Sequence, residues 1–321
     1  MKKAGICVLG AVAALAVQLV FGAVYPTRSI RLIVPFAAGG GTDLLARFVA
    51  PKLTDVLGQQ IVVDNRGGAG SVVGTEIVAK APADGYTLGF FDTAFAINPA
   101  INPSLPYNTE KDFSILNVVA TSPTMLVVRA SLPVKTVDDL VKMAKASPGK
   151  LTFGSAGPNS SGHLSGVMFN AAAGVDIRHV PFKGAGAAIT DLIGGHIDVT
   201  YAVPGSIAPH VKSGHIRPLA TSGTKRTPVF PDVPTFESVG LASVNPGNFR
   251  FLVAPSGVPR AIQQQLVSAM EKIAPMQDLA QRMADNGYAP AFIGPPKARE
   301  TVLASIARWK KTMQEPAMKA N

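Results

Sequence analysis

Short apolar runs alternate along this chain with stretches whose apolar residues recur every three or four positions. The runs Ile30–Val34, Ile61–Asp64, Tyr86–Phe91, Met125–Val128, Leu151–Gly154, Val199–Ala202, Leu219–Thr221 and Phe249–Val253 have the length and composition of buried strands. Between them, Leu44, Leu45, Phe48 and Val49 share one helical face, as do Val73, Ile77 and Val78, and again Leu164, Val167, Met168 and Ala171. Ile189, Leu192 and Ile193 continue the pattern, and a helix over 261–273 carries Ile262, Leu266, Met270 and Ile273 on one side. Thr136-Val137-Asp138-Asp139 has the spacing of a capping box, with Pro148-Gly149 closing that helix. Strand–helix alternation predicts an α/β fold with parallel sheets covered on both faces. No internal repeat or low-complexity segment is present.

Several strands run into glycine-rich turns. The first is Pro35-Phe36-Ala37-Ala38-Gly39-Gly40-Gly41-Thr42-Asp43, and a second glycine turn is Asn65–Gly70. Gly154–His163 and Lys183–Ala187 follow later strands. Glycine lets the backbone approach a ligand closely. The free N–H groups of a first helical turn attract anions. In such sheets, ligands gather outside the carboxyl ends of the strands. Ser160 and Ser161 fit as helix N-caps, and their hydroxyls with the N–H groups that follow equally fit a carboxylate. Gly174 is placed to end that helix. Lys183 reads either as a point charge for an anion or as a solvated surface lysine.

The N-terminus moves this cradle out of the cytoplasm. Lys2 and Lys3 precede an apolar stretch, Ala4–Phe21, broken only by Gln18 and followed by Gly22-Ala23, the layout of a secretion signal over residues 1–23. A membrane anchor is the competing reading, but the stretch is about the minimum spanning length. Cys7, the only cysteine, falls inside the signal, so the mature chain has neither disulfide nor thiol chemistry. The formal charge of +10 is spread along the chain, with Lys225-Arg226 and Lys310-Lys311 the adjacent basic pairs beyond the signal. That pattern favours an anionic small molecule over nucleic acid. Charged residues at 16% and hydrophobic ones at 47% describe a compact chain.

Taken in order, these segments resemble the periplasmic receptors of tripartite tricarboxylate transporters, the TctC or Bug family. The matching pieces are Tyr25-Pro26, Pro35-Phe36 with Gly39–Asp43, Asp64-Asn65-Arg66 with Gly68-Ala69-Gly70, and Asp84–Leu88. Gly154-Ser155 with His163-Leu164, His179–Gly184, Asp191–Gly195, Pro231–Thr235 and Ala254–Pro259 complete the series. The resemblance spans nearly all of the chain beyond the signal. It implies a type II periplasmic binding protein whose two lobes, with mostly parallel sheets, are joined by a crossover hinge. Lobe 1 would comprise 24–124 and 250–321 and lobe 2 would comprise 125–249, with crossings near Pro123–Leu126 and Asn248–Phe251. A small organic acid would be held by N–H groups, hydroxyls and bridging waters. The positions carried over are Phe36, Ala37, Gly39, Gly40, Thr42 and Asp43, then Thr93 and Ala94, then Ser155, Ala156, Asn159, Ser160 and Ser161, with Lys183 beside them. Asp43 would either cap its helix or meet a donor group on the ligand. The resemblance further implies periplasmic location, delivery to membrane subunits of a transporter, a monomer, and no cofactor or metal.

Departures from the family pattern bear on the ligand. Val167 stands where Glu is frequent, Phe182 where Tyr is usual, Ala83 where a second Pro is usual, and Phe249-Arg250-Phe251 where a Trp is common. These changes point to a site more apolar than that of a citrate receptor, suited to an aromatic or monocarboxylic acid. Arg250 reads either as a carboxylate fork or as a surface residue. A sensor delivering the same closed form to a membrane kinase is a second reading. A secreted hydrolase built on Ser160, Ser161 and His163 is a third, but no Gly-x-Ser-x-Gly elbow exists and no aspartate is placed to orient His163. The five histidines lack metal-ligand spacing. Gly68, Gly70 and Gly74 miss the dinucleotide spacing.

Overall fold

The computed structural model describes residues 25–314; the signal read over 1–23 lies outside them. The first half of the chain forms β1 (Ile30–Val34), α1 (Gly41–Leu57), β2 (Ile61–Asn65), α2 (Val72–Ala79), β3 (Thr87–Asp92), α3 (Ala94–Ile101), β4 (Phe113–Thr121), β5 (Met125–Arg129), α4 (Val137–Ala146) and β6 (Thr152–Ser155). It continues with α5 (Ser161–Ala173), β7 (Arg178–Pro181), α6 (Ala185–Ile193), β8 (Val199–Ala202), α7 (Pro204–Lys212) and β9 (Ile216–Thr221). The last part is β10 (Phe249–Pro255), α8 (Arg260–Ile273), α9 (Gln277–Asp285), β11 (Ala289–Ile293) and α10 (Lys297–Thr312).

These strands make two sheets, ordered β11-β4-β10-β3-β1-β2 and β7-β6-β8-β5-β9. β1, β2, β3 and β4 share one direction, as do β6, β7, β8 and β9. The reversed strand inside each sheet is the one that arrives from the other half: β10 between β3 and β4, β5 between β8 and β9. Both sheets are covered on both faces, as strand–helix alternation requires. Side chains alternate along each strand, so Leu32 and Leu252 join one core and Ile33, Phe251 and Val253 the opposite one. In the second sheet, Leu126 and Val128 face α4 and α5 residues while Met125 and Val127 face α6 and α7 residues. Phe91, Phe95, Phe113 and Phe251 meet edge-on or stacked beneath α10, and Trp309 closes that layer. Such aromatic contacts add to area burial.

The capping box at Thr136 and Asp139 is formed, and Gly174 ends α5 in the left-handed conformation. Ala171, expected on the core face of α5, is exposed. The chain passes between the sheets at Ser122–Thr124 and returns beside that segment. Ser122 N donates to Asn248 O (2.9 Å), Ser222 N to Thr124 O (2.9 Å) and Thr124 N to Ser222 Oγ (2.8 Å).

Candidate ligand-binding cleft

The first glycine turn is built around Asp43. Its Oδ2 accepts from Gly39 N (2.9 Å), its Oδ1 accepts from Asn65 Nδ2 (3.0 Å), and Arg47 Nε lies 3.0 Å away. The carboxylate is thereby spent on folding the turn, with Gly39 at φ 83°, a conformation costly for other residues. Gly40, the N-cap of α1, offers no side chain, so the first N–H groups of α1 are left for another partner. Thr42 Oγ1 donates to Asp92 Oδ2 (3.1 Å), and Ala94 N donates to Asp92 Oδ1 (2.9 Å).

The second turn is tied by serines. Ser160 caps α5, donating its hydroxyl to Gly157 O (2.7 Å) and accepting from His163 N (3.3 Å). Ser155 Oγ donates to Gly157 O (3.0 Å) and sits 2.7 Å from His179 Nε2. His163 and His179 have their ring centroids 4.3 Å apart. Burial lowers the pKa of His163. Burial and the neighbouring His163 push His179 down to about 4. His163 Nδ1 accepts from Asn159 N (3.1 Å), so this ring helps to organise the turn.

The glycine turns meet one another directly. Ala37 N donates to Lys183 O (3.0 Å), and Asn159 Nδ2 donates to Asn98 Oδ1 (3.3 Å). A Cβ on Gly184 would stand 2.7 Å from Ala37 N, and one on Gly186 would stand 2.3 Å from Ala38 O. The glycines at this seam therefore let one backbone lie against another, which the sequence assigned to contact with a ligand.

Behind the seam is a cavity of about 40 Å³. Phe36, Gly40, Gly41, Thr42 and Asp92 line it from the first sheet, and Ala156, Ser160, Ser161, Gly162, Ala185 and Tyr201–Val203 from the second. Thr124, Asn248 and Arg250 complete it at the hinge. The N-terminal turns of α1, α5 and α6 all reach it, giving a positive, hydrogen-bond-donating wall. Arg250 is 2% exposed and donates through Nη1 to Ser122 Oγ. Its guanidinium lies 5.5 Å from the centre of the Tyr288 ring, whose hydroxyl donates to Gly41 O (2.6 Å). Burial lowers the Arg250 pKa, against the pull of Tyr288 and Asp92. Burial raises the Asp92 carboxyl, against Arg250 and the hydrogen bonds from Ala94 and Thr42.

Of the positions singled out in the sequence, Phe36, Gly40, Thr42, Ala156, Ser160 and Ser161 converge on the cavity. The other eight lie outside its lining. Gly39 and Asp43 shape the first turn, Ala37 and the Lys183 carbonyl pair across the seam, and the Lys183 side chain is exposed. Thr93 accepts from Phe249 N (3.1 Å) and Ala94 is buried in the core. Ser155 pairs with His179, and Asn159 reaches Asn98. Asp92, Thr124, Tyr201 and Asn248 were missed, and Arg250 was left between two readings. An ionisable residue at the end of an apolar strand, as Asp92 is after Phe90-Phe91, was the available signal.

The family model for the tripartite tricarboxylate transporter family receptor, TctC, matches residues 45–318. Protein BugT of Bordetella pertussis is 33% identical over 297 residues, covering 92% of this chain and 91% of that protein. The structure of R. palustris Rpa4515 with adipate superposes with a TM-score of 0.86 at 34% identity, covering 90% of this chain and 97% of that one. MatC from Rhodopseudomonas palustris with bound malate gives a TM-score of 0.83 at 30% identity, covering 89% and 99%. With fold and sequence in agreement over most of its length, the chain belongs to the TctC family of tripartite tricarboxylate transporter receptors, two-lobed solute-binding proteins.

Proposed function

We propose that this protein captures a small organic acid in the cavity between two lobes and hands it to the membrane subunits of a tripartite transporter, without chemical conversion. The observation that carries this reading is the convergence of three helix N-termini and a buried guanidinium on one cavity. Such a wall suits a carboxylate. Relatives bound to adipate and to malate support the same ligand chemistry. The lobes are 24–124 with 250–321, and 125–249. The grouping of β1–β4, β10 and β11 in one sheet and β5–β9 in the other supports that division. Direct contacts come from Phe36, Gly40, Thr42, Ala156, Ser160 and Ser161, while Ala37, Gly39, Asp43, Thr93, Ala94, Ser155, Asn159 and Lys183 hold the turns and the seam.

Secretion through the signal over 1–23 places the monomer in the periplasm. No helix among the described residues is long and apolar enough to cross a membrane. A thermal-shift panel on the mature chain tests the reading, using di- and tricarboxylates, acidic amino acids, small monocarboxylates and aromatic acids. A ligand at 100 times its Kd stabilises the folded form by about 2.7 kcal/mol. A selective, saturable rise for one class is expected. An unchanged melting temperature across the whole panel sinks the proposal.

A further inference from the structure

Among the described residues lining the cavity, Arg250 is the one cation and Asp92 the one acid. They are register partners across β10 and β3, 2% and 7% exposed. The guanidinium is incompletely used. Nη1 donates to Ser122, while Nε is buried without a partner. Nη2 is pressed against the start of α1, 3.0 Å from where a Cβ on Gly41 would stand. That helix end is itself positive, and so is the α5 end across the cavity. Arg250 and the helix ends together put more positive potential on the cavity than the single carboxylate of Asp92 offsets, so an anion is favoured there. Asp92 is the complement. It accepts one hydrogen bond on each oxygen, which leaves further acceptor capacity.

We propose that a ligand carboxylate docks directly on Arg250 as a forked, charge-assisted pair while Asp92 receives a hydrogen-bond donor, hydroxyl or ammonium, on the same ligand. The preferred solutes are then small hydroxy or amino monocarboxylates, and unsubstituted dicarboxylates are disfavoured because their second carboxylate would meet Asp92 at low dielectric. This inference rests on the receptor reading above and narrows its substrate class.

Calorimetric titration of the mature protein tests it with length-matched probes: lactate, alanine and malonate, then 2-hydroxyvalerate, norvaline and glutarate. The donor-bearing member of a set is expected to bind roughly 10-fold or more tightly than the dicarboxylate. The hydroxy and amino arms show which donor Asp92 takes. Arg250→Gln is expected to weaken every acid that binds by roughly 10- to 100-fold, with Arg250→Lys restoring only part. Asp92→Asn, close in shape and independent of how Arg250→Gln folds, is expected to shift preference toward the dicarboxylate. Leading affinity for malonate or glutarate, or acids bound equally by wild type and a folded Arg250→Gln, overturns this inference and leaves the receptor reading intact. If Arg250→Gln does not fold, an unchanged preference in Asp92→Asn overturns it alone. Binding of no acid by wild type removes both.

Discussion

At the scale of single residues, the glycines of the seam let one backbone lie against another. Gly184 sits at φ 172°, extended backbone that any residue adopts, yet a Cβ there would meet Ala37 N and Cβ at 2.7 and 2.8 Å. Gly184→Ala therefore carries no conformational penalty of its own and acts on the seam alone. Overpacking of this kind costs about 1–3 kcal/mol. Ligand affinity is expected to fall about 10-fold, by calorimetry, while the melting temperature without ligand stays nearly unchanged. An unaltered affinity would mean that the turns do not need to touch when ligand binds. Asp43 teaches a related lesson. Read as a possible ligand contact, it instead holds Gly39, Asn65 and Arg47 together. An acid next to three glycines organises the loop because glycine backbones need an external partner to fix them.

At the scale of elements, α5 and β7 carry a pH-sensitive contact. His163 and His179 both have depressed pKa values, caused first by burial and, for His179, also by the other ring. Between 6.5 and about 4 the unfolded chain therefore binds more protons than the folded one. The contribution of His179 is complete above 6.5 and is lost as pH falls through about 4, at a slope of up to about 1.4 kcal/mol per pH unit. Denaturant titrations from pH 7 down to pH 4.5 should show this loss, and His179→Asn should flatten it. An equal slope in that variant would assign the pH dependence to other groups.

The elements themselves differed in how clearly the sequence announced them. β1, β3, β5, β8 and β10 are buried on both faces and read as mainly apolar runs, with Arg31 in β1 and Arg250 in β10 as charged interruptions. β4 escaped notice because Asn117 interrupts it, with both side-chain polar atoms buried and without a protein partner. Pro99 in α3, Pro204 and Pro209 in α7, and Pro290 in β11 masked those elements, since proline ordinarily argues against helix interiors and central strands. For the cleft, glycine turns and serine caps were legible locally. The pairing of Asp92 with Arg250 was not, because it depends on which distant strands become neighbours.

At the scale of the whole molecule, a backbone hydrogen bond from Ser122 N to Asn248 O joins the two crossing segments, and the halves also meet away from them, at Ala37 with Lys183, Asn159 with Asn98 and Gly205 with Asn286. Rotation about the hinge has to part these contacts, and a ligand bridging both sides supplies the difference between open and closed forms. Solution X-ray scattering is expected to give a smaller radius of gyration when a binding acid is added, with Gly184→Ala showing a weaker response. Identical scattering with and without a bound acid would argue against hinge closure.

The reversed strand β10 has a further effect on how the molecule comes into being. It lies between β3 and β4, so the larger sheet keeps a gap at its centre until residue 255 has been made. The strands of the smaller sheet, β5 to β9, are by then all available in one uninterrupted stretch. Vectorial synthesis therefore favours early completion of the inner half and late completion of the outer one, since long-range strand pairing must wait for its partner. A polypeptide ordered in this way closes its smaller sheet first and holds its larger sheet open until β10 and β11 arrive.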